Sequence, residues 1–378
     1  LISVEEVSTT TVAAPTTTFR PGWLFSPRAD VTMLLLPALS VAAAAVLAFE
    51  RGHDSADVER VYATWISQFL LGNSTHVILT FLLLGARRDM LHATPGQART
   101  VKLGASITFL VTFGMMFGVS RLAPIWIDFP FAIIVVLATH HTLSQARGIW
   151  SLYNLRGKRF GIPPPAEAER NLQKWFVPLG LLLITVKFLF VPKTEGSTFA
   201  FVQAIPLMPA VLPYEVTYLL GAAWLLFVGL LGRALLSAEG PKSYPKLGYV
   251  ACHSAAVLLM LAAPGWGSTL VSGVHGLEYY LLSARMLRPL PSETSAKIGA
   301  ALVWPALVGA MLPLFVIGLV NAPFTGLLGL PRSFTPAFSV ARWVLTATVL
   351  AHYFSDAFIY RFRIPEVRKV ALARLGFD

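Results

Sequence analysis

Apolar residues recur along the chain in runs close to the roughly 20 residues that carry a helix across a bilayer. Ten such runs can be drawn, at 31–49, 61–85, 103–120, 130–153, 175–192, 214–236, 247–263, 268–284, 298–320 and 338–361. They are too long and too evenly apolar for the short alternating strands of a membrane barrel. The pattern predicts an all-α fold, a polytopic transmembrane helical bundle of about ten spans. It divides the chain into an N-terminal tail (1–30), a transmembrane helical domain (31–361) and a basic amphipathic C-terminal segment (362–378) on the cytoplasmic surface.

Composition agrees with this pattern. The 378 residues are 55% hydrophobic and 13% charged, with a mean hydropathy of +0.66. An ordinary soluble domain carries about 25% charged residues. The net charge of +11 invites a nucleic-acid reading, but the basic residues collect in alternate connections. Arg87, Arg88, Arg99 and Lys102 follow the second run. Arg156, Lys158, Arg159, Arg170 and Lys174 follow the fourth, and Arg285, Arg288 and Lys297 the eighth. The loop 193–213 has Lys193 alone and the loop 264–267 has no basic residue. This positive-inside signature puts both termini on the cytoplasmic side. It argues for an integral protein of a bacterial inner membrane and against a nucleic-acid partner. The single Cys252 excludes an internal disulfide. The Thr-rich stretch 1–20 lacks the basic and apolar regions of a secretory signal and is expected to be a mobile tail, or ordered only against a partner. No internal repeat stands out, which weighs against a secondary transporter.

Polar residues inside the runs are the chemical signal, because each is costly to bury in hydrocarbon. Six of the eight histidines fall within predicted spans: His76, His140, His141, His253, His275 and His352. Their depths can be counted from the nearest basic residue. His76 lies 11 residues before Arg87, His275 ten before Arg285, His352 nine before Arg361, and His253 seven after Lys246. The doublet His140–His141 precedes Arg156 by about 15 residues. At about 1.5 Å per residue, all six sit between the cytoplasmic interface and the bilayer centre. Five helices thus deliver imidazoles into one slab.

Carboxylates and amides accompany them. Glu278 follows His275 by three residues, Asp356 follows His352 by four, and Gln145 follows His141 by four. These offsets share a helix face. A lone intramembrane histidine more often hydrogen-bonds a neighbouring helix than binds a metal. Six at one depth with two carboxylates favour a shared site, with His76, His140, His141, His275, Glu278, His352 and Asp356 as candidate metal ligands. His253, nearest the interface, is the weakest of the histidines. Neighbouring histidines point about 100° apart on a helix, so His140 and His141 are free to serve different partners.

Imidazole and carboxylate without thiolate suit non-haem iron, mono- or dinuclear, with zinc or haem ranked lower. A site inside the bilayer implies a lipophilic substrate, a membrane lipid or an isoprenoid. Tyr279, Tyr280, Tyr353, Phe354, Trp150 and Tyr153 are placed to line a slot, although aromatic residues near helix ends also serve as interfacial anchors. Arg147, Arg285, Arg361 and Arg363 are placed to meet a headgroup, or to anchor the helix ends.

Histidines spread singly over several helices, here His76, His140, His141, His275 and His352, resemble the architecture of the Brp/Blh-type carotenoid cleavage enzymes. That resemblance implies non-haem iron and oxygen chemistry on a lipid within the membrane. The HxxxH and HxxHH boxes of membrane desaturases are absent. The leading expectation is an integral-membrane, metal-dependent oxidoreductase: an oxygenase, hydroxylase or desaturase, served by an electron-donor protein or a larger membrane complex. The alternative is a non-enzymatic membrane subunit, a b-haem electron carrier or a proton- or ion-translocating component, in which the same residues form a relay.

Overall fold

A computed structural model describes residues 19–37, 39, 73–119, 121, 129–191, 211–237, 239–262, 264–287 and 335–377. The expected span 298–320, most of 31–49 and the start of 61–85 lie outside the described residues. The described residues are mostly helical. Pro27–Asp30 (α1) continues into a π-helical turn, Val31–Leu35. Then come Asn73–Ala86 (α2), Arg88–Leu91 (α3), Gln97–Val119 (α4), Phe129–Gly157 (α5), Glu167–Phe190 (α6) and Val216–Ser237 (α7). The described chain closes with Tyr244–Ala262 (α8), Pro264–Met286 (α9), Thr335–Ile359 (α10) and Pro365–Leu375 (α11).

Four of these helices, α4, α6, α7 and α8, are long and apolar enough to cross a membrane. Their outer faces carry bare aliphatic side chains, as lipid-facing helices do: Leu110 on α4 is 65% exposed and Leu219 on α7 is 69% exposed.

Local chemistry sets the helix ends. Ser26 caps α1 by accepting the Ala29 N–H, and Pro27 occupies the first turn, where its missing N–H has no cost. Gly161 (φ 66°) turns the chain after α5 in the left-handed region that favours glycine, and Gly376 (φ 76°) does the same after α11.

Two apolar cores flank the middle of the molecule. One joins α5–α9 through Leu143, Trp150, Phe176, Trp224 and Val257. The other gathers Leu24, Leu83, Ile149, Leu282, Ile359 and Leu375 from the opposite side of α5, from α2, α9, α10 and α11, and from the segment before α1. Helix α10 packs on α4 and α2, and α9 on α2, α5 and α8. Gly104 on α4 leaves the room that the Phe354 ring of α10 fills.

Residues 19–30, expected as the end of a tail, are built into the body. Phe19–Arg20 pairs in parallel with Lys242–Ser243, the only strands among the described residues. Leu24 is fully buried. The Asp30 carboxylate accepts the backbone N–H groups of Leu24, Phe25 and Ser26 and the Tyr153 hydroxyl of α5. Helix α11 is likewise docked. Arg374 pairs with Asp89 at 2.7 Å, and Arg156 of α5 donates to the Gly376 carbonyl at 3.1 Å.

Candidate metal centre

Helices α2, α5, α9 and α10 meet in the middle of the molecule, and each contributes one imidazole there. His76, His141, His275 and His352 form a closed ring. Successive ring centroids are 4.6 Å (His76–His275), 4.8 Å (His275–His141), 5.1 Å (His141–His352) and 4.8 Å (His352–His76), all edge to face. One nitrogen from each of the four lies within 4.8 Å of the others. His76 Nε2 and His275 Nε2 are 3.1 Å apart. Bonds of about 2.0–2.1 Å to one ion leave neighbouring ligand nitrogens roughly 3 Å apart.

The unpartnered atoms point the same way. His141 Nε2, His275 Nδ1, His352 Nε2 and Asp356 Oδ2 are buried and find no hydrogen-bond partner among the described residues. Each such atom costs about 1–3 kcal/mol if it stays unsatisfied. Of these, His141 Nε2 and Asp356 Oδ2 lie 3.6 Å apart beside the ring, and the four imidazoles together form a group that could hold a cation.

The surrounding groups fix these ligands. Asp356, one turn after His352 on α10, is held by one oxygen: Oδ1 accepts from Thr80 Oγ1 at 2.8 Å and from the Tyr279 hydroxyl at 2.9 Å. Its other oxygen faces the cluster, 3.6 Å from His141 Nε2. With its own proton given to Asp356, Thr80 Oγ1 is left to accept from His352 Nδ1 at 2.6 Å. That bond puts the ring proton on Nδ1 and leaves Nε2 as a bare lone pair. The Thr80 and Tyr279 hydroxyls also touch each other. Tyr353 stacks on His141 at 4.2 Å.

Two candidate ligands stand outside this group. His140 is exposed and points away, its Nε2 3.5 Å from Ser144 Oγ. The rotation between adjacent helical residues is the reason: when His141 faces the cluster, His140 cannot. Glu278 is buried and fully engaged elsewhere. Its Oε1 accepts from the Tyr249 hydroxyl at 2.7 Å and meets His253 Nε2 at 2.7 Å; its Oε2 accepts from Gln145 Nε2 at 2.9 Å. Gln145 also donates to the His275 carbonyl, so the two clusters are neighbours. Glu278 therefore stands outside the group of four histidines that could share an ion. His253 takes its place as partner of Glu278.

Thr80 and Tyr249 were not singled out from the sequence. A signal existed for each: Thr80 lies four residues after His76, and Tyr249 four before His253, each on its histidine's helix face.

A cleft of about 690 Å³ opens beside the centre. His141 and Asp356 line it, together with Leu137, Leu350, Leu282 and Tyr353.

The chain matches no protein-family model, no curated protein and no solved structure.

Proposed function

We propose that the protein is an integral-membrane metalloenzyme: a non-haem iron oxygenase, hydroxylase or desaturase acting on a lipid or isoprenoid within a bacterial inner membrane. In this reading the chain crosses the bilayer about ten times with both termini in the cytoplasm. His76, His141, His275 and His352 hold the ion, and Asp356 is the adjacent carboxylate. One observation carries the proposal: four imidazoles from four helices, three of them buried and His141 half-buried, bring a nitrogen each within 4.8 Å of the others.

The donor set favours iron. Catalytic zinc commonly takes three protein ligands and structural zinc is usually closed at four, often with thiolate. Four imidazoles beside a free carboxylate oxygen suit a metal of higher coordination number. The rings contact one another edge to face at 4.6–5.1 Å, which leaves no slot for a macrocycle between them and disfavours haem. Iron bound here would supply dioxygen activation, with electrons delivered by a donor protein or a larger membrane complex.

The protein's own groups have definable tasks. Thr80 keeps His352 in the tautomer that ligates. Thr80 and Tyr279 together hold one oxygen of Asp356 and so aim the other. The aliphatic walls of the cleft seat an apolar chain beside His141 and Asp356 and exclude water.

Elemental analysis of the purified full-length protein tests the reading. Stoichiometric iron that is lost in His275→Ala is the expected result. Protein free of iron when expressed in iron-replete medium overturns it, and iron accompanied by a Soret band supports the electron-carrier alternative.

A further inference from the structure

The cleft has an order along its length, and two helices repeat it. On α5 the lining residues run Leu137, His141, Arg147; on α10 and just beyond they run Leu350, Asp356, Arg361. Each series passes from an aliphatic residue, through a residue of the metal centre, to a guanidinium. Arg363 adds a third guanidinium at the same end. Among the described residues none of the three arginines makes an ion pair. At the opposite end, Leu137 is 41% exposed, so the cleft runs out onto the apolar exterior. The site therefore offers a cationic mouth, a middle at the metal centre and an apolar exit.

We propose, resting on the metalloenzyme reading, that this cleft takes a single-chain amphiphile with an anionic head, a carboxylate or a phosphate. Arg147, Arg361 and Arg363 hold the head. The tail passes His141 and Asp356 and leaves along Leu137 into the surrounding lipid. Guanidinium groups bind such oxyanions by charge-assisted hydrogen bonds, bidentate where geometry allows. Arg147 lies six positions after His141, about 9 Å of helix rise. The reacting carbon is thus several bonds from the head, set by this spacing and not by the free end of the tail. Chain length beyond the exit matters little, and head charge matters much.

Equilibrium binding to the full-length protein in neutral detergent tests this, with oleate, oleoyl lysophosphatidate and oleyl alcohol as probes. The expected result is that at least one anion binds about tenfold or more tightly than the alcohol. The ranking of the two anions separates a fatty acid from a lysophospholipid source. Arg147→Gln combined with Arg361→Gln is expected to abolish the preference. Arg170→Gln, which removes an exposed guanidinium bonded to the Pro165 carbonyl, is expected to keep it. Alcohol binding equal to that of both anions overturns the proposal, as does a preference unchanged in the double variant. If the double variant does not fold, the head-group comparison on the unaltered chain decides. Iron content assayed on the same samples separates the two readings. Iron without a head-group preference overturns only this proposal. A head-group preference without iron overturns the enzyme reading and leaves the lipid site standing.

Discussion

Two buried polar clusters lie side by side in the centre of the molecule, sharing Gln145 as a neighbour, and they differ in one respect. Around Glu278 every carboxylate oxygen has a partner: Tyr249, His253 and Gln145 converge on it and none of the three lacks a bond. Around the four-histidine ring, His141 Nε2, His275 Nδ1, His352 Nε2 and Asp356 Oδ2 are buried with no partner among the described residues. Both clusters contain histidine and carboxylate at helix spacing, and composition alone does not tell them apart. Satisfaction does. A closed hydrogen-bond network ties α5, α8 and α9 together and needs nothing more. The four imidazoles around one point, by contrast, could hold a cation.

The contrast is sharpened or broken by substitution. The largest effect is expected from His275→Ala with His352→Ala, which removes two of the four ligands. Metal affinity should fall by more than about 100-fold, since even the indirect partners of ligands are worth about 10–100-fold. Elemental analysis after gel filtration reads it. Glu278→Leu should leave the metal stoichiometry of the folded fraction unchanged while costing about 3–5 kcal/mol in stability, because it strands Tyr249, His253 and Gln145. Thermal unfolding in detergent measures the loss. If Glu278→Leu instead empties the centre without lowering stability, the two clusters are one site and the distinction fails.

Thr80→Val keeps the volume of the side chain and removes its hydroxyl. Metal affinity is expected to drop about 10–100-fold through the freed His352 ring and the loosened Asp356. Competition with a chelator reads it.

A pH experiment probes a third, satisfied carboxylate outside the spans. Burial raises the Asp30 carboxyl above its ordinary 3.8, opposed by hydrogen bonds from Phe25, Leu24, Tyr153 and Ser26. The folded chain therefore holds the proton more tightly than the unfolded chain. The stability this group contributes is full below 3.8 and declines as pH rises through the raised folded value. Asp30→Asn should flatten that part of the pH–stability curve. A slope unchanged in the variant would assign it to another group. The smallest effect belongs to His140→Ala: no change in metal content, and stability within about 0.5 kcal/mol.

The histidines show how far the sequence reaches. Counting residues from the basic loops gives depth, and depth correctly groups His76, His141, His275 and His352. It groups His140 and His253 with them equally well, because depth is one coordinate and a site needs three. The missing two are the rotation of each helix and the order of its neighbours, both set by contacts between helices distant in sequence. Offsets along one helix carry further. The four-residue step from His352 to Asp356 predicts the carboxylate that the structure places beside the ring. The three-residue step from His275 to Glu278 also shares a face, yet Glu278 leans toward α8, where Tyr249 and His253 compete for it. The helices themselves were legible because burial in lipid imposes a long apolar run. The docking of residues 19–30 was not, since a parallel pair of two residues and a buried Asp30 leave no periodic trace.

Helix α5 carries a commitment at almost every turn. His141 faces the ring, Gln145 holds Glu278, Trp150 and Asn154 bond Glu169 and Lys246, and Tyr153 reaches Asp30. These partners lie on α1, α6, α8, α9 and α10, so α5 is the shaft to which five separate latches are cut. Adding or deleting one residue between His141 and Gln145 would turn the shaft by about 100° and throw the latches on the two sides out of phase. The four-histidine ring and the helix scaffold therefore share one angular setting: the fold cannot reach its helix-to-helix bonds without also aiming His141 at the other three imidazoles.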